Sequence, residues 1–247
     1  MNNKSSKVKV VAASVAGMLH VNKKIACQDC YNHASGKNLV AVVSDGAGSA
    51  KHGKIGAKNV CETLCDLLKN ADFAKIEGEI VKAIKIVREK LLLHRFNKTK
   101  NEKGLSCFAA TIVGVVYHKK QGVFFHIGDG AALSLSDSTE FVASRPENGC
   151  FSCETFFFTQ NEWRENLRFT KIQNAKSILL MSDGLTSFAF RSDFNEIEHK
   201  FIYPINDYLF NEKSILKAKK ALENTLNTPK AQKLNSDDKT LLWIGGL

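Results

Sequence analysis

At 247 residues, with 44% hydrophobic and 24% charged side chains and only 3 prolines, the chain has the composition of a folded protein, which excludes wholesale disorder. Its 35 lysines and arginines against 25 acids give a formal charge of +10, which attracts anions in general; the lysines are scattered, and no aromatic-interleaved basic motif points to nucleic acid. No apolar run suffices for a bilayer span or a signal peptide, and seven cysteines, an odd number, fit reduced thiols, so a cytoplasmic protein is expected.

In chain order, residues 8–16 alternate as a strand, and a loop over 17–29 then carries His20, Lys23, Lys24, Gln28 and Asp29. Residues 31–36 read as turn-like. The run Leu39-Val40-Ala41-Val42-Val43-Ser44 follows, a buried strand by its β-branched content, and it stops abruptly at Asp45-Gly46. Apolar residues at helical spacing predict amphipathic helices over 53–69 and about 73–96. A polar loop over 98–104 leads to a strand over 109–116, a hairpin turn over 117–122 and a strand over 123–127 that ends in Gly128-Asp129-Gly130. A further strand covers 131–135. The pattern weakens into an irregular, flap-like stretch over about 144–175. The strand 178–181 reaches Asp183-Gly184, residues 193–211 are ambiguous, a helix is predicted over 213–226, and Asp237-Asp238 precede a closing strand over 241–244. Short turns between strands imply antiparallel pairing and exclude a doubly wound parallel sheet. With no repeat and no linker, one domain over 1–247 is expected, its core spanning about 8–245.

Three apolar strands that each end in Asp-Gly suggest one acidic site at a common sheet edge. Any one such dipeptide is an ordinary turn; the combination carries the inference. Carboxylates, backbone carbonyls and water suit Mg²⁺ or Mn²⁺ rather than soft metals. Gly46 adds a carbonyl that no side chain obstructs. Two hard cations about 3.5–4 Å apart, bridged by one carboxylate, let a water lose a proton near neutral pH and attack phosphorus in line.

Several motifs occur in a telling order: Cys27-Gln28-Asp29, Val43-Ser44-Asp45-Gly46-Ala47-Gly48-Ser49, Ala110-Thr111 and Ile127-Gly128-Asp129-Gly130. They continue with Glu154-Thr155 beside Phe157 and Thr159, then Leu180-Met181-Ser182-Asp183-Gly184, and finally Ser236-Asp237-Asp238-Lys239-Thr240. In this the chain resembles the metal-dependent protein serine/threonine phosphatases of the PP2C type, in their compact bacterial branch. The resemblance implies an α+β fold, a four-layer αββα sandwich of two antiparallel β-sheets flanked by helices. It implies that Asp45 bridges two Mn²⁺ or Mg²⁺ ions, that Gly46 gives its carbonyl to one, and that Asp183 and Asp237 complete the other. Asp29 would hold metal-bound water, Asp129 with Asp183 a third and weaker ion, and Lys24 the substrate phosphate. The implied substrate is a phosphorylated protein linked to a Ser/Thr kinase, acted on by a monomer.

Departures from the family pattern are informative. Ala47 stands where a histidine is frequent, which leaves His20 and His52 as candidates for the acid that protonates the leaving alcohol. Lys24 lacks the fork of the usual arginine. Asp238 replaces a common asparagine, although motif register assigns the metal to Asp237. Rival readings are a pseudophosphatase binding module, a phosphohydrolase of small metabolites, and a zinc site from Cys27-x₂-Cys30 with Cys150-x₂-Cys153. No Walker-type phosphate loop is present.

Overall fold

The computed structural model describes residues 8–136, 140–147, 155–191 and 194–247. The strand β1 (Lys9–Val15) leads through the short helix α1 (Met18–Asn22) to β2 (Cys30–Ser35) and β3 (Leu39–Ser44). Helices α2 (Gly53–Leu68) and α3 (Ile76–Leu92) follow, then β4 (Ile112–His118), β5 (Gln121–Ile127), β6 (Ala131–Leu135), β7 (Phe141–Ser144), β8 (Arg168–Gln173) and β9 (Ser177–Met181). The chain closes with α4 (Thr186–Ala189), α5 (His199–Asn211), α6 (Ile215–Leu226), α7 (Pro229–Leu234) and β10 (Lys239–Gly245).

The strands form two five-stranded sheets, ordered β1-β10-β9-β6-β7 and β2-β3-β4-β5-β8, with antiparallel pairing throughout. Strand periodicity explains the stacking. In β3, Val40 and Val42 pack under α2 and α3, whereas Ala41 and Val43 point into the space between the sheets. In β9, Leu179 and Met181 pack toward the C-terminal helices, and Ile178 and Leu180 meet the other sheet. Both faces of the central strands are therefore buried, which is why they read as continuous apolar runs. Each fully buried Val or Leu contributes about 1.5–3 kcal/mol. The result is the expected four-layer αββα sandwich.

Several segments differ from the sequence expectation. The stretch read as turn-like is the edge strand β2, whose half-exposed Tyr31, Asn32 and His33 hide its alternation. The irregular 144–175 region contains a second edge strand, β8, again half exposed. Within the predicted 17–29 loop lies α1, which buries none of its five residues and so leaves no periodic trace. The β4–β5 turn is also tighter than expected: Lys119 and Lys120 (φ 45° and 68°) make a two-residue connection between His118 and Gln121.

Candidate active site

Antiparallel pairing brings the acids to one end of the sandwich. Asp45 follows β3, Asp183 follows β9, and Asp237 precedes β10, which runs opposite to β9. Asp129 lies on the connection from β5 to β6, which crosses from one sheet to the other. Asp29 precedes β2, and the register Cys30↔Ser44 puts it beside Asp45. Asp45, Gly46, Asp129, Asp183 and Asp237 line one cleft of about 390 Å³ with Ala47, Gly48, Thr155 and Phe157. A larger cavity of about 600 Å³, between the start of α3 and strands β5 and β8, has Glu77 as its one acid and offers no such chemistry.

Each carboxylate is held from behind. The Asp45 N–H donates to Thr111 Oγ1 at 3.0 Å, the Asp45 carbonyl accepts from Thr111 N–H at 2.9 Å, and Ala47 N–H donates to the Ala109 carbonyl at 2.9 Å. The turn carrying Gly46 is thus clamped on the strand that supplies Ala110-Thr111. Asp29 is 3% exposed, and its Oδ2 accepts from Ser182 Oγ and Thr240 Oγ1, each at 2.7 Å. Asp129 Oδ2 accepts from Thr155 Oγ1 at 2.6 Å. Behind Asp183, Gly184 is obligatory, since a Cβ there would lie 1.9 Å from the Asp238 carbonyl oxygen.

The two neighbouring acids Asp237 and Asp238 divide their roles. Asp237 is exposed and lines the cleft. Asp238 is 3% exposed and turned inward, its Oδ1 accepting from Gly17 N–H at 2.8 Å and its Oδ2 from Gln28 N–H at 2.5 Å. A sulfur of Cys27 and one oxygen each of Asp29 and Asp238 lie within 4.8 Å of one another. Both Asp238 oxygens and Asp29 Oδ2 already accept hydrogen bonds, and burial, then the Asp29 charge, pushes the Cys27 thiol up, which disfavours the thiolate a metal needs. Cys150 and Cys153, the other half of the zinc reading, lie outside the described residues, as does Glu154.

The donor set fits hard cations. Burial, reinforced by the charges of Asp29, Asp183 and Asp129, raises Asp45 well above the ordinary carboxylate range. Burial, then Asp129, Asp237 and Asp29, does the same to Asp183. Burial pushes Asp29 up to about 6 and raises Asp129 as well. Among the described residues Asp29 Oδ1 and Asp129 Oδ1 are buried with no hydrogen-bond donor, and the Asp29 carboxyl lies against that of Asp45. A cluster of oxygen donors that repel one another and leave buried lone pairs open suits a hard cation.

The rim of the cleft is built differently. Helix α1 is docked on the Asp237 loop through the Leu19 N–H to Ser236 carbonyl bond at 3.1 Å. Gly17 permits that approach, because a Cβ there would lie 2.2 Å from the backbone of Asp237 and Ser236. Leu19, His20, Lys23 and Ile25 line the cleft. His20 Nδ1 stands 2.9 Å from Asp238 Oδ2 without hydrogen-bond alignment, and its Nε2 faces Gly48. Lys24, at φ 55°, is not among the residues that line the cleft, whereas its neighbour Lys23 is. His52 is also elsewhere, stacked on Phe96 with centroids 4.4 Å apart at the start of α2. Sequence reasoning missed Lys23, Gly17 and Thr155's bond to Asp129; only Thr155 had a signal, its place in the Glu154-Thr155 motif.

A four-layer αββα sandwich with an acidic cleft at the sheet ends is a scaffold that suits metal-dependent chemistry. A family model described as Protein phosphatase 2C matches residues 16–233. The chain therefore belongs to the protein phosphatase 2C family, and with it to the protein serine/threonine phosphatases. Similar solved structures include the serine/threonine phosphatase Stp1 from Staphylococcus aureus, 16% identical with a TM-score of 0.67 over 97% of this chain and 95% of that one. Another is PppA, described as a key regulatory component of T6SS in Pseudomonas aeruginosa, 18% identical with a TM-score of 0.66 over 97% and 98%. A third is the catalytic domain of the serine threonine protein phosphatase PstP in complex with 2 manganese ions, 16% identical with a TM-score of 0.64 over 96% and 97%. No curated protein matches. Among the described residues no helix is long and apolar enough to cross a membrane.

Proposed function

We propose that this cleft hydrolyses phosphoserine and phosphothreonine in proteins with two divalent cations, Mn²⁺ or Mg²⁺. The observation that carries the reading is the convergence of Asp45, Asp183, Asp237 and Asp129 from both sheets on one open cleft. Asp45 would bridge the ions, the Gly46 carbonyl would serve one, Asp183 and Asp237 the other, and Asp129 with Asp183 a third and weaker one. When bound, the ions supply charge neutralisation at phosphorus and an acidified water. The chain's own residues do the rest. Asp29, fixed by Ser182 and Thr240, keeps Oδ1 to accept from an ordered water and orient it. Lys23 offers an ammonium to the substrate phosphate. His20, 2.9 Å from Asp238 and turned toward Gly48, is the candidate that protonates the departing serine or threonine oxygen.

A protein substrate suits the rim better than a small metabolite does. Leu19 and Ile25 are 48% and 43% exposed at the cleft mouth, an apolar ledge for residues flanking a phosphoserine. We read the chain as one cytoplasmic, monomeric phosphatase domain paired with a Ser/Thr kinase. Release of inorganic phosphate from a phosphoserine peptide is expected with added Mn²⁺ and is expected to disappear in excess EDTA. Undiminished turnover in EDTA would overturn the two-cation reading, and Mn²⁺ uptake without turnover would make the protein a binding module.

A further inference from the structure

Lys239 opens β10, a strand whose seven residues are all buried, and is itself 0% exposed. A methionine or leucine would fill the same space without removing an ammonium from water, so a lysine here calls for a specific return. Its three donors have three acceptors: the carbonyl of Asn235 at 2.7 Å, the carbonyl of Asp237 at 2.8 Å and Gln232 Oε1 at 3.5 Å. Two of these belong to the three-residue bend that carries Asp237, and Asn235 Oδ1 closes the same bend by accepting from Asp237 N–H at 2.8 Å. Gln232 extends the tie, donating through Nε2 to the Ala16 carbonyl at 3.0 Å, beside the end of β1. The Asp237 side chain faces the cleft while its own carbonyl is held by the ammonium.

We propose that Lys239 is a positioning residue for the cation centre: it fixes the Asn235–Asp237 bend and so aims the Asp237 carboxylate into the cleft. The proposal rests on the two-cation reading and goes beyond it by giving the site a buried organic cation on the far side of one ligand. An isolated loop carboxylate would have to be ordered when the metal binds; this one is ordered in advance by hydrogen bonds to its main chain, which charge assistance strengthens.

Calorimetric titration with Mn²⁺ alone tests it. Lys239→Met is expected to weaken Mn²⁺ binding about 10- to 100-fold, the range seen when groups supporting a ligand are removed. In an Asp237→Asn background the same change is expected to alter Mn²⁺ affinity by less than about twofold, since the ligand it serves is already gone. Unchanged binding in Lys239→Met overturns the proposal, and so does an equal loss in the Asp237→Asn background, which would mark general damage. If Lys239→Met does not fold, Lys239→Gln reads the same quantity, and if neither folds Lys239 is a stability residue and the proposal falls. Wild-type protein that takes up no Mn²⁺ would instead remove the two-cation reading, a failure visible before any variant is made.

Discussion

The floor and the rim of the cleft are built on opposite principles. Floor residues stand at strand ends, all but Asp29 on central strands, and partners from other elements hold them: Thr111 for Asp45, Thr155 for Asp129, Ser182 and Thr240 for Asp29. The rim is a five-residue helix with no buried side chain, fastened to the floor by Gly17, Leu19 and Asp238. Rigid placement suits groups that must share cations at fixed separations, whereas a surface that meets varied protein substrates can be shallow and exposed. The chemistry should therefore fail when the floor is altered, whatever the substrate. Altering the rim should expose differences between substrates.

The largest effect belongs to the floor. Asp45→Asn and Asp183→Asn each preserve shape and remove a charge from a cluster that repels itself, so both variants should fold. Each is expected to lose activity on the order of 10³-fold or more, equally on a phosphoserine peptide and on p-nitrophenyl phosphate. Parallel assays of both substrates check it, and near-normal turnover in either variant would break the assignment.

A rim variant should separate the two substrates. Serine alkoxide is a poor leaving group that needs a proton, and nitrophenolate is a good one that does not. If His20 supplies that proton, His20→Ala is expected to slow phosphoserine peptide hydrolysis about 100-fold, the lower part of the usual contribution of a general acid, and p-nitrophenyl phosphate hydrolysis by less than about threefold. An equal loss on both substrates would assign His20 to the support of Asp238 instead.

Legibility in the sequence followed the same division. Central strands buried on both faces left unbroken apolar runs, and their abrupt stop at Asp45-Gly46 and Asp183-Gly184 marked the floor. Short connections gave the antiparallel pairing, and the family resemblance implied the double-sheet sandwich. The edge strands β2 and β8 are only partly buried and the helix α1 buries no residue, so no clear period revealed them. Motif spacing pointed to Lys24, whereas Lys23 is the lysine that lines the cleft and Lys24 has a left-handed backbone that spacing does not show. Lys239 read as a polar lead-in to a strand, because only the folded chain brings Asn235, Asp237 and Gln232 round its ammonium.

The smallest effect concerns the floor without metal. Burial and mutual repulsion raise Asp45, Asp183 and Asp129, and push Asp29 up to about 6. In the unfolded chain these groups titrate near the ordinary carboxylate value of about 4. Between that value and the raised ones the folded state holds more protons, so the slope of stability with pH is negative. Their contribution is fully present below about pH 4 and is lost as pH rises through 6 and beyond. Bound cations replace the protons and remove the penalty. Metal-free protein should therefore melt lower at pH 7.5 than at pH 5.5, and the gain from Mn²⁺ should grow over the same interval. At a hundred times the dissociation constant one ion adds about 2.7 kcal/mol, roughly 5–10 °C for a chain of this length. Asp45→Asn should flatten the metal-free slope, since it removes one of the raised carboxylates. Melting curves at the two pH values, with and without Mn²⁺, check all of this, and a gain independent of pH would show that the floor is not strained by its own charge.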